Sequence, residues 1–349
     1  MVGHALQTLG NRVGLPRARP LLVRQGARYT CFGDGLCCTD IHALGPVTRR
    51  EKQALDLIEP GALIRHKDLA APVFRTGSDG ACVLRSARGC ELHAVHGAEH
   101  KPAGCARFPY GLVATPEGGR ITTEHRCPCR TLGARPEITP EAATSSLVDG
   151  AGRLSPNGKV GARVPVAPGK SLSFARFRAI ENVMIDALLA GADPRIVLDV
   201  KPFGRLVGER WKDIAAEMRR ERDGTAYGEA MLWFGNAMLH LLTDVKLPLT
   251  PRPWSPSFDS AEARSAPESA GQVLNDWVAD LLWSLDWVFS SGTFQSGRRE
   301  LVTLYSIALT ITERLIRAKV RPDRAAAESL TIVELARQSG AWERVQQGL

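Results

Sequence analysis

The sequence predicts an α+β protein: a small cysteine-rich, metal-bound N-terminal part with short strands and helices, followed by a mostly α-helical C-terminal domain. Two uneven distributions support this prediction. All eight cysteines lie between Cys31 and Cys129, whereas all seven tryptophans follow position 200. Thiols bind metals and indole rings fill apolar cores, so we expect the two parts to be stabilised differently. The predicted boundaries are 1–148 for the cysteine-cluster domain, 149–170 for a linker and 171–349 for the helical domain.

Short elements separated by turns are expected in the N-terminal part. Thr48 and Glu51 form a capping-box pattern that predicts a helix ending near Ile58. A hairpin is predicted over 110–125, with its turn at 116–119, and it leads directly to Cys127. Pro140 follows Thr139 at the expected first position of another short helix.

The second half carries helical periodicity after a segment rich in Gly and Pro. Its clearest apolar stripe is Val273, Trp277, Leu281, Leu285 and Val288, which we interpret as helix core. The predicted helices are Phe174–Leu189, Pro194–Val200, Gly204–Glu221, Tyr227–Thr243, Glu268–Phe289, Arg298–Lys319 and Asp323–Gln338.

Charge and targeting signals favour a cytoplasmic protein over a membrane or nucleic-acid-binding protein. The formal charge is +8, but 36 of the 45 basic residues are arginines spread along the whole chain. Scattered arginines are more typical of a solvated surface than of a nucleic-acid site, which we keep as a third alternative. Residues 1–30 contain no continuous apolar stretch of the kind found in secretory signals, and no apolar run is long enough to span a membrane. In the cytoplasm, clustered cysteines bind metal more often than they form a disulfide framework, which is the alternative for an even cysteine count.

Thiolates are soft ligands that suit zinc and iron–sulfur clusters, and both commonly use four per centre. The eight cysteines are therefore sufficient for two four-ligand centres, or for one cluster with bridging sulfurs. Adjacent side chains diverge in extended chain, so we expect Cys37 and Cys38 to serve two centres or two edges of one cluster. Cys127 and Cys129 flank a proline and are expected to bind one ion. The predicted metal ligands among the cysteines are Cys31, Cys37, Cys38, Cys82, Cys90, Cys105, Cys127 and Cys129.

These cysteines occur in strings that resemble a bacterial family of zinc- or iron-chelating cysteine-cluster proteins, the YkgJ-like family. The family pattern is C-x2-C-x2-CC, two spaced cysteines, and a closing Arg/Lys-Pro-x-x-Cys-x-x-Phe-Pro segment. The matching strings are Tyr29-Thr-Cys31, Cys37-Cys38, Cys82-Val-Leu84, Cys90-Glu-Leu92 and Lys101-Pro-Ala-Gly-Cys105-Ala-Arg-Phe-Pro109. The resemblance covers about residues 29–130 and implies metal binding by Cys31, Cys37, Cys38, Cys82, Cys90 and Cys105.

The chain departs from the family pattern in two places. Asp34 stands where the second cysteine of the family pattern is expected. As a carboxylate ligand it would favour zinc or a simple iron site. The alternative is that Asp34 is a turn residue before Gly35. The interval between Cys90 and Cys105 is longer than usual. It contains His93, His96 and His100, which would share one helix face as ligands or lie as ordinary surface residues. For His125, two residues before Cys127, a ligand role and an ordinary structural role are likewise both open.

We therefore predict a metal-binding protein that holds zinc or iron in a structural or redox role. The iron alternative includes an iron–sulfur cluster. The same motif is similar to that of flagellin lysine N-methylases, which implies an alternative activity as an S-adenosylmethionine-dependent protein-lysine N-methyltransferase. In either case the helical domain is the expected contact for a protein partner or substrate. No Walker loop, GxSxG or HExxH motif supports an enzyme independently.

Overall fold

The computed structural model describes residues 20–31, 35–65, 71–86, 89–97, 100–133, 135–149 and 152–349. Its N-terminal half contains most of the strands and its C-terminal half is helical, which confirms the α+β class. Within the described residues, no helix is both long enough and apolar enough to cross a membrane.

The N-terminal half contains a four-stranded sheet, in the order β1 (Leu21–Leu22), β7 (Gly119–Thr123), β6 (Tyr110–Ala114) and β8 (Gly158–Lys159). The predicted hairpin is its antiparallel pair, with Leu112 opposite Ile121, and both of these side chains are buried. β1 and β8 add in parallel at the two edges. The strands are β1 Leu21–Leu22, β2 Leu63–Arg65, β3 Pro72–Phe74, β4 Arg85–Ser86, β5 Gly89–Cys90, β6 Tyr110–Ala114, β7 Gly119–Thr123, β8 Gly158–Lys159, β9 Arg163–Ala167 and β10 Lys170–Ser173. The segment 149–170, predicted as a linker, thus contains β8 and β9.

Short helices connect these strands: α1 Arg49–Ile58, α2 Ala103–Arg107, α3 Pro128–Thr131 and α4 Pro140–Leu147. The capping box of α1 is confirmed, because the Thr48 hydroxyl accepts from the Glu51 amide and the Glu51 carboxylate accepts from the Thr48 amide. The same carboxylate also accepts from the Ala103 amide at 2.7 Å, so it joins α1 to the start of α2. Thr139 caps α4, with Pro140 at its first position as predicted.

The C-terminal half consists of α5 Phe174–Leu189, α6 Pro194–Leu198, α7 Trp211–Arg220, α8 Ala226–Thr243, α9 Ser255–Glu262, α10 Ala270–Ser284, α11 Trp287–Ser290, α12 Phe294–Arg317, α13 Pro322–Arg337 and α14 Gly340–Gly348. The predicted helix over 268–289 is interrupted, because Leu285 adopts a left-handed conformation with φ of 56°. α9 and α14 were missed by the sequence analysis. α9 starts among prolines, and α14 follows α13 after only a short turn, so neither has a long apolar repeat of its own.

One large apolar cluster extends across both halves. It includes Leu36 and Val113 from the N-terminal half together with Trp233, Trp277 and Trp342 from the helices. Burial of side chains this large supplies much of the driving force for folding. The N-terminal half therefore packs directly on the helical half.

A fully buried ion pair reinforces this contact. Arg120 on β7 donates to both carboxylate oxygens of Glu181 on α5, at 2.8 and 2.9 Å, and both side chains are 0% exposed. The guanidinium also stacks on the ring of Trp283, 4.3 Å from the centroid. A bidentate, desolvated pair of this kind fixes the relative position of sheet and helices.

Candidate metal centre

Four cysteines lie around one small part of the N-terminal half, and we call Cys38, Cys82, Cys90 and Cys105 the Cys38 group. The Cys82 amide donates to the carbonyl of Cys38 at 2.8 Å, which holds these two chain segments side by side. Cys90 lies on β5, opposite Arg85 of β4. Cys82, Cys90 and Cys105 all pack against a single apolar cluster built on α1, β3 and the residues around them. Residues separated by up to 67 positions in the chain are thereby brought together.

Burial and neighbouring thiols shift the pKa values of two cysteines of this group. Burial is the main cause that raises the pKa of Cys105 to about 12, and the charges of Cys38, Cys82 and Cys90 add to it. Burial likewise raises the pKa of Cys82 to about 11, with contributions from Cys38 and Cys90. Thiols with such pKa values remain protonated at neutral pH unless a cation stabilises the thiolate.

Cys37 lies beside this group, because its sulfur is close to the sulfur of Cys38. The Sγ atoms of Cys37 and Cys38 lie 3.9 Å apart, so the predicted divergence of the two side chains is wrong. The reason is local: Leu36–Cys38 forms a 3₁₀ helix after the left-handed Gly35, whereas the prediction assumed extended chain. Two sulfurs bound to one tetrahedral zinc ion at about 2.3 Å would be about 3.8 Å apart, which is close to the observed spacing.

A second set, which we call the Cys127 group, comprises Cys31, Cys127 and Cys129. All three affect one side chain: burial is the main cause that raises the pKa of Tyr29, and the charges of these cysteines raise it further. Cys127 caps the start of the short helix α3 and Cys129 lies within it, and both are buried. Cys31 is exposed. The prediction that Cys127 and Cys129 act together is consistent with this placement but is not tested by it.

The remaining candidates are Asp34, which was predicted as a ligand, and the histidines for which ligand and surface roles were both open. Asp34 falls outside the described residues. His93 and His96 are exposed on the short π-helix Leu92–His96, which ends before His100, and the rings of His96 and His100 are 5.9 Å apart between centroids. No disulfide joins any of the eight cysteines, all of which are described. Within the described ranges, no three Cys, His, Asp or Glu side chains already surround a common position suited to a metal ion.

A buried polar network adjoins the Cys127 group, and sequence reasoning missed most of it. Asp280 on α10 accepts hydrogen bonds from Arg24, Thr123, His125 and Arg130. Burial opposes its ionisation, but the charges of Arg24 and Arg130 and the His125 hydrogen bond outweigh burial and hold the pKa of Asp280 well below its usual range. The signal in the sequence was weak, because an Asp within an apolar helix face carries no indication of partners about 150 residues away.

Some buried polar atoms close to the cysteines lack hydrogen bonds. They are Nε2 of His42, Nε of Arg107 and Nδ1 of His125, and none has a partner in the part of the chain that the structure describes. Arg107 and His125 each lie two residues from a cysteine. Buried polar atoms without a hydrogen bond are rare in folded proteins.

Comparison with known proteins identifies no relative: no family model, curated protein or solved structure matches this chain. The resemblance to the cysteine-cluster family therefore stays a prediction.

Proposed function

We propose that this protein binds zinc or iron through the cysteines of its N-terminal half, in a structural or redox role. The observation that carries the proposal is the 3.9 Å separation of the Cys37 and Cys38 sulfurs beside three further thiols of the Cys38 group. The donor chemistry fits such an ion, because soft, clustered sulfurs are the preferred ligands of both metals. Convergence of the side chains on one ion is the step that the proposal adds.

A bound cation would change the charge state of these thiols. Burial is the main cause that raises the pKa values of Cys82 and Cys105, and the charges of neighbouring cysteines add to it, so their thiolate forms are unfavourable without a cation. A divalent cation reverses that effect, since each thiolate then gains an attractive partner instead of a repulsive one. Ion binding would also stabilise the fold, because coordination energy contributes directly to folding energy.

Competitive titration with a chromophoric chelator tests the proposal. Cys38→Ser should weaken zinc binding by at least tenfold and lower the melting temperature of the zinc-loaded protein. Thr39→Ser is the matched control, since the adjacent residue keeps a hydroxyl able to donate to the Leu36 carbonyl. Equal zinc affinity in wild type and Cys38→Ser would remove Cys38 from the ligand set, and with it the sulfur pair on which the proposal depends.

Location and partners belong to the same proposal. Reduced thiols of this kind persist in the cytoplasm, where we place the protein, and the helical half is the surface that we assign to a protein partner. The methyltransferase alternative gains no specific support. The described residues form a cavity of about 240 Å³ between the two halves, lined in part by Arg28, Glu268 and Asp276, and a second of about 440 Å³ beside Arg252, Glu262 and Arg324. The size of neither cavity identifies it as a cofactor pocket. Incubation with S-adenosylmethionine and candidate proteins would test that activity.

A further inference from the structure

The cavity of about 240 Å³ between the N-terminal half and the helical half combines side chains of opposite charge. Its N-terminal wall comes from residues within 25–28 and 130–133, and its helical wall from the end of α5 and the start of α10. About eight water molecules take up that volume in the liquid, so the cavity has room for a small molecule. The lining side chains indicate the chemical class of that molecule.

The start of α10 presents hydrogen-bond acceptors to the cavity. Glu268 and Asp276 contribute carboxylates that are 22% and 25% exposed. Each oxygen of Asp276 accepts one hydrogen bond, from Arg24 or Arg130, and can accept another. Asn275 offers only its oxygen, because both hydrogens of its amide group donate to backbone carbonyls near the end of α5, at 2.9 Å. Three acceptors around one cavity suit an ammonium group, which has three donors and no acceptor.

Arg28, on the N-terminal wall, supplies a donor for an anionic group. The segment that carries it is held by two backbone hydrogen bonds between residues 27–29 and 136–138, of 2.9 and 3.1 Å. The Arg28 side chain is 44% exposed, and its Nη1 lies 3.4 Å from Oε1 of Glu268. Charge-assisted hydrogen bonds are usually about 2.7–2.9 Å long, so this pair is loose and leaves the guanidinium able to bind a carboxylate.

Apolar side chains form a further part of the lining, namely Leu188, Leu189 and Val273. Leu188 and Val273 are buried, whereas Leu189 is 40% exposed. Binding of an apolar group beside Leu189 would remove apolar surface from water, which is favourable. We therefore expect an aliphatic group in the part of the ligand that contacts these residues.

The charges around the cavity are balanced. Within the described part of the chain, its ionised lining consists of two arginines and two carboxylates: Arg28, Arg130, Glu268 and Asp276. A ligand with a net charge would leave that charge in a partly enclosed site, whereas a zwitterion keeps the balance. We propose that the cavity binds a free α-amino acid with an aliphatic side chain. Its ammonium group is bound by Glu268, Asp276 and Asn275, and its carboxylate by Arg28. The proposal is independent of metal binding, because none of these residues is a candidate metal ligand.

Isothermal titration calorimetry of the full-length protein with L-leucine tests the proposal. Leucine should bind saturably, with a Kd below about 1 mM. Two analogues each lack one charged group: 4-methylpentanoate has no ammonium group and 3-methylbutylamine has no carboxylate. Each should bind about tenfold more weakly or worse, because it leaves charged groups of the cavity without a partner.

Two single substitutions test the assigned residues. Glu268→Gln and Arg28→Gln should each weaken leucine binding by about tenfold or more, since each removes one charge that faces the ligand. Glu313→Gln and Arg153→Gln are the matched controls, because these side chains also belong to ion pairs, lie outside the cavity lining, and are 54% and 67% exposed. Both controls should bind leucine with the affinity of wild type.

Three results would overturn the proposal. The first is no leucine binding to wild type at about 10 mM. The second is equal affinity for leucine and 3-methylbutylamine, which would make the cavity a site for a cation such as the lysine side chain of a partner protein. The third is unchanged leucine affinity in both Glu268→Gln and Arg28→Gln. If either variant fails to fold, the comparison of the three ligands on wild type decides.

Discussion

Glu334 on α13 offers a quantitative test of how the two halves pack, because its carboxylate is buried between them. Its two oxygens accept from the Arg126 amide at 2.7 Å and from the Trp277 indole at 3.1 Å. Burial is the main cause that raises the pKa of Glu334 from its usual 4.5 to about 7, and the nearby Glu124 charge adds to it. The Arg126 amide and the charges of Arg126 and Arg337 only partly oppose this rise.

The direction of the pH effect follows from linkage. The folded protein keeps a proton on Glu334 between about pH 4.5 and pH 7, where the unfolded chain has lost it. Stability from this group is therefore fully present below about pH 4.5 and is lost as the pH rises through about 7. A pKa difference of this size corresponds to about 3 kcal/mol in the free energy of unfolding.

Urea unfolding of wild type and Glu334→Gln at about pH 5 and about pH 8 measures this effect. Glutamine stays neutral, so the stability of the variant relative to wild type should increase by about 2 to 3 kcal/mol between the two pH values. Any constant cost of the altered hydrogen bonds cancels in that comparison. Glu313→Gln, at a position 54% exposed on α12, is the control and should change the free energy of unfolding by about 0.5 kcal/mol or less. A difference between Glu334→Gln and wild type that does not vary with pH would refute the assignment of a buried, proton-binding Glu334.

Two further predictions concern packing. Arg120→Met removes the bidentate partner of the buried Glu181 carboxylate and leaves it only the 2.8 Å contact with Arg178, so urea unfolding should show a loss of about 3 kcal/mol, at the low end for a broken buried pair. Much of this loss should be recovered when Glu181 is also replaced by leucine, and equal stability of the single and double variants would contradict the prediction. Gly297→Ala should destabilise α12 by about 1 kcal/mol or more, because the added Cβ would lie 2.6 Å from Cβ of Trp287. Gly271→Ala, in the first turn of α10, is the control: its added Cβ would lie no closer than 4.0 Å to another atom, so the variant should be neutral or stabilised by up to about 1 kcal/mol. An equal fall in melting temperature in both alanine variants would contradict the packing described for Gly297.

Local signals in the sequence were sufficient for much of the fold. The capping box at Thr48 and Glu51 depends only on residues three apart, and the 110–125 hairpin on a turn between two apolar runs, so both were predictable. The break at Leu285 was not, since its stripe continues on both sides and Leu285 itself is fully buried. Its left-handed backbone leaves no mark in an apolar pattern.

The candidate site also has features that could be predicted from the sequence and features that could not. The cysteines were identifiable as candidate ligands by residue type alone, whereas their division into two groups depends on long-range contacts. The pairing of Cys37 with Cys38 required knowledge of a 3₁₀ turn, and the partner of His125 comes from α10, 155 residues further along the chain. Side-chain chemistry is legible in a sequence, but the tertiary arrangement that combines distant residues is not.

The decisive measurement for metal binding is the metal content of freshly purified protein. Wild type isolated anaerobically under reducing conditions should contain a stoichiometric amount of zinc or iron when measured by inductively coupled plasma mass spectrometry. Acid-labile sulfide should be present only if the centre is an iron–sulfur cluster. Protein that carries neither metal, and whose eight cysteines all react with a thiol reagent at the same rate before and after incubation with zinc, would contradict it.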